Sequence, residues 1–274
     1  MQNFNLHQHT YRCGHADVDI KDEDYIEEYL KAGFNKIAFT DHCPEKDVID
    51  KRPNIRMTYE KRNEYLESIN RLKDKYKNKI EILSGYEIEF LPGQEKNLEE
   101  LKNESDILIL GQHFVYADDG KDLNVIGWNS CTDKDLFKYG EYVKNAIEKG
   151  LPDIIAHPDF FMLGRKSFGD YEENVTREIC KAASKYGIPL EINLNNIFRH
   201  EFYDLKDKKA LNKSNSTYPN KDFWKIVSEY NIKTLYGLDV HHIVQISLYK
   251  ELAKLANNII GKETIEKLEF VNNF

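Results

Sequence analysis

The sequence predicts one α/β domain spanning 1–274, folded as a (β/α)7 TIM-like barrel with a metal cluster at the C-terminal ends of its strands. Three observations carry that expectation. Short apolar runs alternate with longer amphipathic ones, the pattern of βαβ units around a parallel sheet. Seven such units in 274 residues match the size of a β/α barrel, and 41% hydrophobic residues suffice for a substantial core. Nearly every apolar run also ends in His, Asp or Glu. A doubly wound open sheet is the alternative built from the same alternation.

The strand candidates, in order, are FNLHQH, KIAFTDH, EILSGYEIEF, DILILGQHF, DIIAHPD, PLEINLN and TLYGLDVHH. Helices are expected between them at 22–32, 58–77, 132–149, 171–186 and 221–230. Several begin at a Thr or Asp able to cap free N–H groups, and Gly33, Gly150 and Gly187 supply left-handed stops. Two stretches depart from the alternation. Residues 115–131 form a loop or hairpin inserted after the fourth strand, and the polar segment 205–220 forms a loop near the mouth. Neither has the Pro or Gly density of a domain linker.

With Lys+Arg 39 against Asp+Glu 47 the net charge is −8, which argues against a nucleic-acid surface. It also opposes attraction of an anionic phosphate ester, so such a site needs local cations. No apolar run approaches the roughly 20 residues that cross a membrane. The opening MQNFNLHQHTYRCGH has neither the basic nor the apolar region of a secretory signal. Cys13, Cys43, Cys131 and Cys180 lie far apart without a CxxC pair, as expected of reduced thiols in the cytoplasm. Nothing in the sequence fixes the oligomeric state.

The positions of the ionisable residues point to the chemistry. His7 and His9 are two apart, so in a strand both imidazoles face one side and can grip one ion. The second run ends Asp41-His42, the third carries Glu87 and Glu89, the fourth ends in His113, the fifth in His157-Pro158-Asp159, and the seventh carries Asp239 and His241. In a β/α barrel these ends open on one face, so residues scattered along the sequence converge. A single histidine at a strand end is usually only a satisfied polar group, and His200 and His242 alone carry no more than that. The HxH and DxH pairs with histidines ending intervening strands are a metal site, and imidazole with carboxylate suits Zn, Mn or Fe. Same-face geometry permits both Glu87 and Glu89.

Together His7-Gln8-His9, His15, Thr40-Asp41-His42, Gly85-Tyr86-Glu87, Gly111-Gln112-His113, Ala156-His157-Pro158 and Gly237-Leu238-Asp239-Val240-His241 resemble the polymerase-and-histidinol-phosphatase (PHP) superfamily, in its order. The resemblance implies a distorted β/α barrel, commonly seven-stranded, with two or three divalent transition-metal ions. It implies one ion on His7, His9, Glu87 and Asp239, and a second on His113 and His157 with Glu87 bridging. A third would sit on His15, His42 and His241, and Asp41 would orient imidazoles from behind. The segment Arg56-Met57-Thr58-Tyr59-Glu60, the stretch 83–93 and Ile109-Leu110-Gly111-Gln112-His113-Phe114-Val115 are similar to the histidinol-phosphate phosphatase branch. That narrower resemblance implies hydrolysis of L-histidinol phosphate, a small phosphate ester.

On this expectation, two ions acidify a bridging water whose hydroxide attacks phosphorus. Arg165 and Arg199, each following a strand, are the expected phosphate clamp, because a guanidinium fork matches two phosphate oxygens. Arg12 is a weaker candidate. Asp17 and His242 are the candidates for the general acid that protonates the departing alkoxide. The rival readings are a phosphatase for another monoester, including phosphotyrosine, a nuclease, and a nonenzymatic metal-binding protein. The full ligand set opposes the last, since decay removes ligands.

Overall fold

The computed structural model describes residues 2–44, 55–127, 131–202 and 217–274. β1 (Phe4–Asn5) pairs in parallel with β2 (Lys36–His42), which pairs with β3 (Glu81–Ile88), which pairs with β4 (Ile107–Leu110). After β4 the chain makes a separate antiparallel hairpin, β5 (Phe114–Tyr116) with β6 (Leu123–Val125), inside the insertion expected at 115–131. Parallel pairing resumes through β7 (Ile154–Ile155), β8 (Leu190–Asn193), β9 (Lys233–Gly237) and β10 (Glu269–Phe270). The seven expected strands are thus present in order, and β10 is an eighth that the alternation does not reveal.

Closure differs at the two ends of the sheet. β10 lies against the first residues of β9, Lys233 and Thr234. At the other end the continuations of β1 and β9 meet in a parallel bridge between Gln8 and Val240, with His9 N donating to Val240 O at 3.0 Å. The ring is therefore joined where the ligand candidates lie, which accounts for the distortion of the barrel.

The expected helices form as α1 (Asp22–Ala32), α2 (Arg62–Tyr76), α4 (Asp133–Glu148), α5 (Asp170–Tyr186) and α7 (Lys221–Val227), with α3 (Glu95–Glu104) and α6 (Asn195–Glu201) lying between members of that series. α8 (Val244–Ser247), α9 (Tyr249–Ile260) and α10 (Lys262–Ile265) follow β9. Thr132 caps α4 by accepting from Asp135 N, and Gly33 and Gly187 end α1 and α5 in left-handed conformations. Of the expected loop 205–220, residues 205–216 lie outside the described residues.

Strand alternation sorts the core into two layers. Phe4, Leu6, Ala38, Ile107, Ile109, Ile154, Ala156 and Leu235 cluster inside the ring, whereas Ile37, Phe39, Leu108 and Leu110 pack outward with the helices. Along each strand the inward row begins apolar and ends polar. In β3 it runs Leu83, Gly85, Glu87; beyond β4 it continues from Ile109 through Gly111 to His113. The barrel's lower interior is therefore a hydrophobic plug, and its top is the site.

Candidate metal centre

His7 and His9 lie beyond the two paired residues of β1, although a continuous strand through His9 is expected from the sequence. Asn5 and Gln8 both bond the Tyr29 hydroxyl on α1, at 2.6 and 2.8 Å. Residues three apart on one side mean that the alternation slips by one, which turns His7 and His9 into the ring. His157 (φ 30°) and Asp239 (φ 46°) are the non-glycine residues with left-handed backbones among the described residues. Such conformations cost roughly 1–3 kcal/mol each and concentrate at functional sites. Here they bend two strand ends so that the side chains turn inward.

Glu87 is the hub. Its Oε1 lies 2.9 Å from His157 Nε2 and 3.8 Å from His113 Nε2. Its Oε2 lies 2.8 Å from His42 Nδ1, 3.4 Å from His9 Nε2 and 3.6 Å from His7 Nε2. Asp239 Oδ1 stands 3.1 Å from His9 Nε2 and 3.4 Å from His7 Nε2. The Nε2 atoms of His7 and His9 face each other at 3.1 Å, and those of His15 and His241 at 2.9 Å. The ligand atoms of His7, His9 and Asp239 lie within 4.8 Å of one another, as do those of His15, His42 and His241, and those of His7, Glu87 and His157.

The surroundings of this cluster fit cations. Burial alone would lower the basicity of His7, yet Glu191, Asp239 and Glu87 together raise it well above the ordinary range. Burial likewise opposes protonation of His9, but Asp239, Asp41 and Glu87 raise it to about 9. Two imidazoles whose nitrogens face each other across 3.1 Å cannot both hold protons there. A divalent ion supplies the positive charge and leaves both in the neutral, ligating form. Burial, reinforced by His9, pushes His241 down to about 3, and burial outweighs Glu87 to lower His42, so both are poised to bind as neutral rings. Burial would raise Glu87 and Asp239, but the imidazoles around them hold both carboxyls well below their usual range. Buried Glu87 Oε2 and Asp239 Oδ1 accept no hydrogen bond, a costly state unless a cation faces them. Donors about 2.1 Å from a tetrahedral ion stand about 3.4 Å apart, close to the spacings of Asp239 with His7 and His9.

Supporting groups stand behind the cluster. Glu89 accepts from His113 N at 2.8 Å and lies 2.7 Å from its Nδ1, so of the two same-face glutamates Glu87 faces the centre and Glu89 orients an imidazole. Glu191 does the same for His7, 2.9 Å from its Nδ1, and Asn195 donates to Asp239 Oδ2 at 3.0 Å. Neither Glu191 nor Asn195 is legible in the sequence as a site residue. The only available signal is a buried acid at the inward position of a strand.

The cluster lines a cavity of about 390 Å³ together with Ile55, Arg56, Phe114, Phe160, Leu163 and Tyr218, and with Arg199 and His200 from α6. Arg199 reaches the cavity as expected. Arg165 corrects its expectation: its guanidinium is held by Glu172, by Asp133 at 2.6 Å and by the Cys131 carbonyl at 2.9 Å, in a different depression. An arginine takes the nearest carboxylates, and here these belong to α4 and α5. Arg12 also turns away, forming a bidentate pair with Asp22 at 2.8 and 3.0 Å. Asp17 and His242 form a pair at 2.7 Å. Asp17 N bonds His241 O at 2.9 Å, so the pair flanks the His15/His241 corner without being among the cavity-lining residues.

Fold and site define a class: a parallel β/α barrel whose strand ends gather imidazoles and carboxylates into one site fit for divalent metal. The chain belongs to the PHP domain family, whose model matches residues 5–195. Asp239 and His241 lie beyond that stretch and join the centre through the fold. The chain is 26% identical over 243 residues to a Deinococcus radiodurans protein named "Probable histidinol-phosphatase", covering 86% of this chain and 85% of that one. It is 31% identical over 125 residues to the histidinol-phosphatase of Bacillus subtilis, covering 43% of this chain and 46% of that one. Its fold is similar to that of the Lactococcus lactis histidinol phosphate phosphatase complexed with zinc, L-histidinol and phosphate, with a TM-score of 0.64 at 18% identity over 93% of this chain and 94% of that one.

Proposed function

We propose that the chain is a metal-dependent histidinol-phosphatase, hydrolysing L-histidinol phosphate to L-histidinol and phosphate in histidine biosynthesis. The observation that carries this reading is the centre of histidines and carboxylates lining one cavity together with aliphatic and aromatic side chains and two arginines, Arg56 and Arg199. The polar groups suit the phosphate and the apolar ones suit the flat imidazole of the substrate.

His7, His9, Glu87 and Asp239 would hold one divalent ion, His113 and His157 with Glu87 a second, and His15, His42 and His241 a third. The donor set suits Zn, Mn or Fe. When bound, such ions acidify water and neutralise charge gathering on the phosphoryl oxygens. Glu87 spans the groups that hold the ions, its two oxygens facing different imidazoles. Arg199 clamps the phosphate from the cavity side. The Asp17–His242 pair flanks the His15/His241 corner outside the cavity lining, so it would pass a proton to the departing alkoxide through a bridging water rather than by direct contact. No helix among the described residues is long and apolar enough to cross a membrane. We place the reaction in the cytoplasm, where Cys13, Cys43, Cys131 and Cys180, all buried and outside any disulfide, stay reduced.

Phosphate release from L-histidinol phosphate, p-nitrophenyl phosphate and phosphotyrosine, by protein loaded with Zn or Mn, tests the substrate. A preference in kcat/KM of at least about a hundredfold is expected, about 2.7 kcal/mol of specific stabilisation. Similar slow turnover of all three would retain a phosphatase and remove the substrate, and no release from metal-replete protein would remove the reaction. Arg199→Ala is expected to lower kcat/KM by about ten- to a hundredfold, the range of one charge-assisted hydrogen bond pair, with metal content unchanged. Unaltered kinetics would take Arg199 out of the clamp.

A further inference from the structure

Arg12 stands next to the first ligand pair in sequence, yet its guanidinium is buried away from the cavity. The fork holds Asp22 at the start of α1, and Ser68 on α2 donates to the same carboxylate at 2.7 Å. The Tyr11 and Tyr65 rings flank it, 4.5 and 5.7 Å from its carbon. Beyond the ion pair, Arg12 Nη1 donates to Thr10 Oγ1 at 3.2 Å, and the Arg12 backbone N–H donates to the same oxygen at 3.3 Å. Thr10 contacts both oxygens of Asp41: its N–H donates to Oδ1 at 2.9 Å, and its hydroxyl donates to Oδ2. Asp41 Oδ1 in turn lies 3.7 Å from His9 Nδ1.

We propose that Arg12 is a positioning residue for His9, acting through the Thr10 hydroxyl and Asp41. The argument is one of donor direction. A guanidinium has only donors, as has the Arg12 backbone N–H. With both aimed at Thr10 Oγ1, the hydroxyl proton must point elsewhere, and the carboxylate it meets is Asp41. Asp41 is therefore fixed through both of its oxygens, by the Thr10 N–H on Oδ1 and the Thr10 hydroxyl on Oδ2. Asp41 Oδ1, held 3.7 Å from His9 Nδ1, stands behind the ring and keeps its Nε2 turned toward His7 Nε2, Glu87 and Asp239. The Asp22 and Ser68 contacts anchor the far end of this chain to α1 and α2, so helix packing outside the barrel sets the orientation of an imidazole inside it. This role rests on the ligand set proposed above, but not on the identity of the substrate.

The test uses the full chain with Thr10→Val, Thr10→Ser, Arg12→Met and Arg12→Lys. In zinc-loaded protein carrying 15N-labelled histidine, the His9 nitrogens of the parent should give one sharp set of signals with Nε2 on the metal, and Thr10→Val and Arg12→Met should broaden or split that set. Zinc affinity, measured by chelator competition, should fall about ten- to a hundredfold in those two variants. Thr10→Ser, which keeps the hydroxyl, should retain both the parent His9 signals and the affinity. Arg12→Lys, with a single donor group in place of the fork, should fall between. If Arg12→Met does not fold, the near-isosteric Thr10→Val alone decides. Unchanged His9 signals and zinc affinity would overturn the proposal, and a lower melting temperature with both unchanged would reduce the network to packing. Neither readout requires turnover, so this inference and the proposed substrate fail separately.

Discussion

Glu87→Gln is expected to strip at least one divalent ion per chain and to lower kcat/KM by at least about a thousandfold, about 4 kcal/mol of transition-state stabilisation. The change keeps the volume of the side chain and removes its charge. The carboxylate stands 2.8 Å from His42 Nδ1 and 2.9 Å from His157 Nε2, using a different oxygen for each. A carboxamide cannot serve both sides, because one end becomes an NH2 that donates where an ion needs a lone pair. It also lacks the negative charge that offsets clustered cations. Metal analysis of purified protein alongside steady-state kinetics measures both effects. A Glu87→Gln protein with its full metal complement and parent-like kcat/KM would reject the bridging role.

Gly111→Ala is expected to disable the site nearly as fully without altering any ligand. A Cβ at residue 111 would overlap Glu87 Oε1 and come within 2.5 Å of Glu87 Cδ and 2.7 Å of its Cγ. Glu87 has no room to yield, being buried among five imidazoles and the inner strands. Either its carboxylate leaves the position between His157 and His42, or the β3–β4 pairing opens. Overpacking of this kind costs about 1–3 kcal/mol of stability, a fall of several degrees in melting temperature for a chain of this size. Loss of the hub adds a deficit in bound metal. Metal content and thermal unfolding of the variant check the prediction, and a variant that keeps both would mean that Glu87 occupies another rotamer in solution. Gly237 plays the same part beneath Glu191, where a Cβ would overlap that carboxyl group.

These two glycines illustrate how much of the site can be read without a structure. Gly111 and Gly237 stand inside the motifs that carry the family resemblance, but a glycine on a strand has many possible reasons. The reason here is a carboxylate from the neighbouring strand lying across the Cα, a contact between residues 24 and 46 positions apart in the two cases. Sequence periodicity gives the face on which a residue lies and not what passes over it. The same gap explains Glu87 and Glu89. Both face inward by the period of two, and only the position of His113, beyond the end of β4, makes one the hub and the other its support.

What the sequence determined by itself was the alternation that builds a parallel barrel, and the types of residue that end its strands. Those properties are local: a period of two or 3.6, a cap, a stop, a ligand placed where a strand opens. His7, His9, His42, Glu87, His113, His157, Asp239 and His241 converge because strand ends converge. Tertiary structure alone decided the destinations of the long side chains and the identity of the supporting groups. Arg165 went to Glu172 and Asp133, Arg12 went to Asp22, and Glu191 rose behind His7. An arginine spans several ångströms and binds whichever carboxylate packing brings within reach, so its partner is set by how helices dock on the sheet. Short side chains on strands inherit their direction from the backbone, which is why the candidate ligands were legible and the destinations of Arg12 and Arg165 were not.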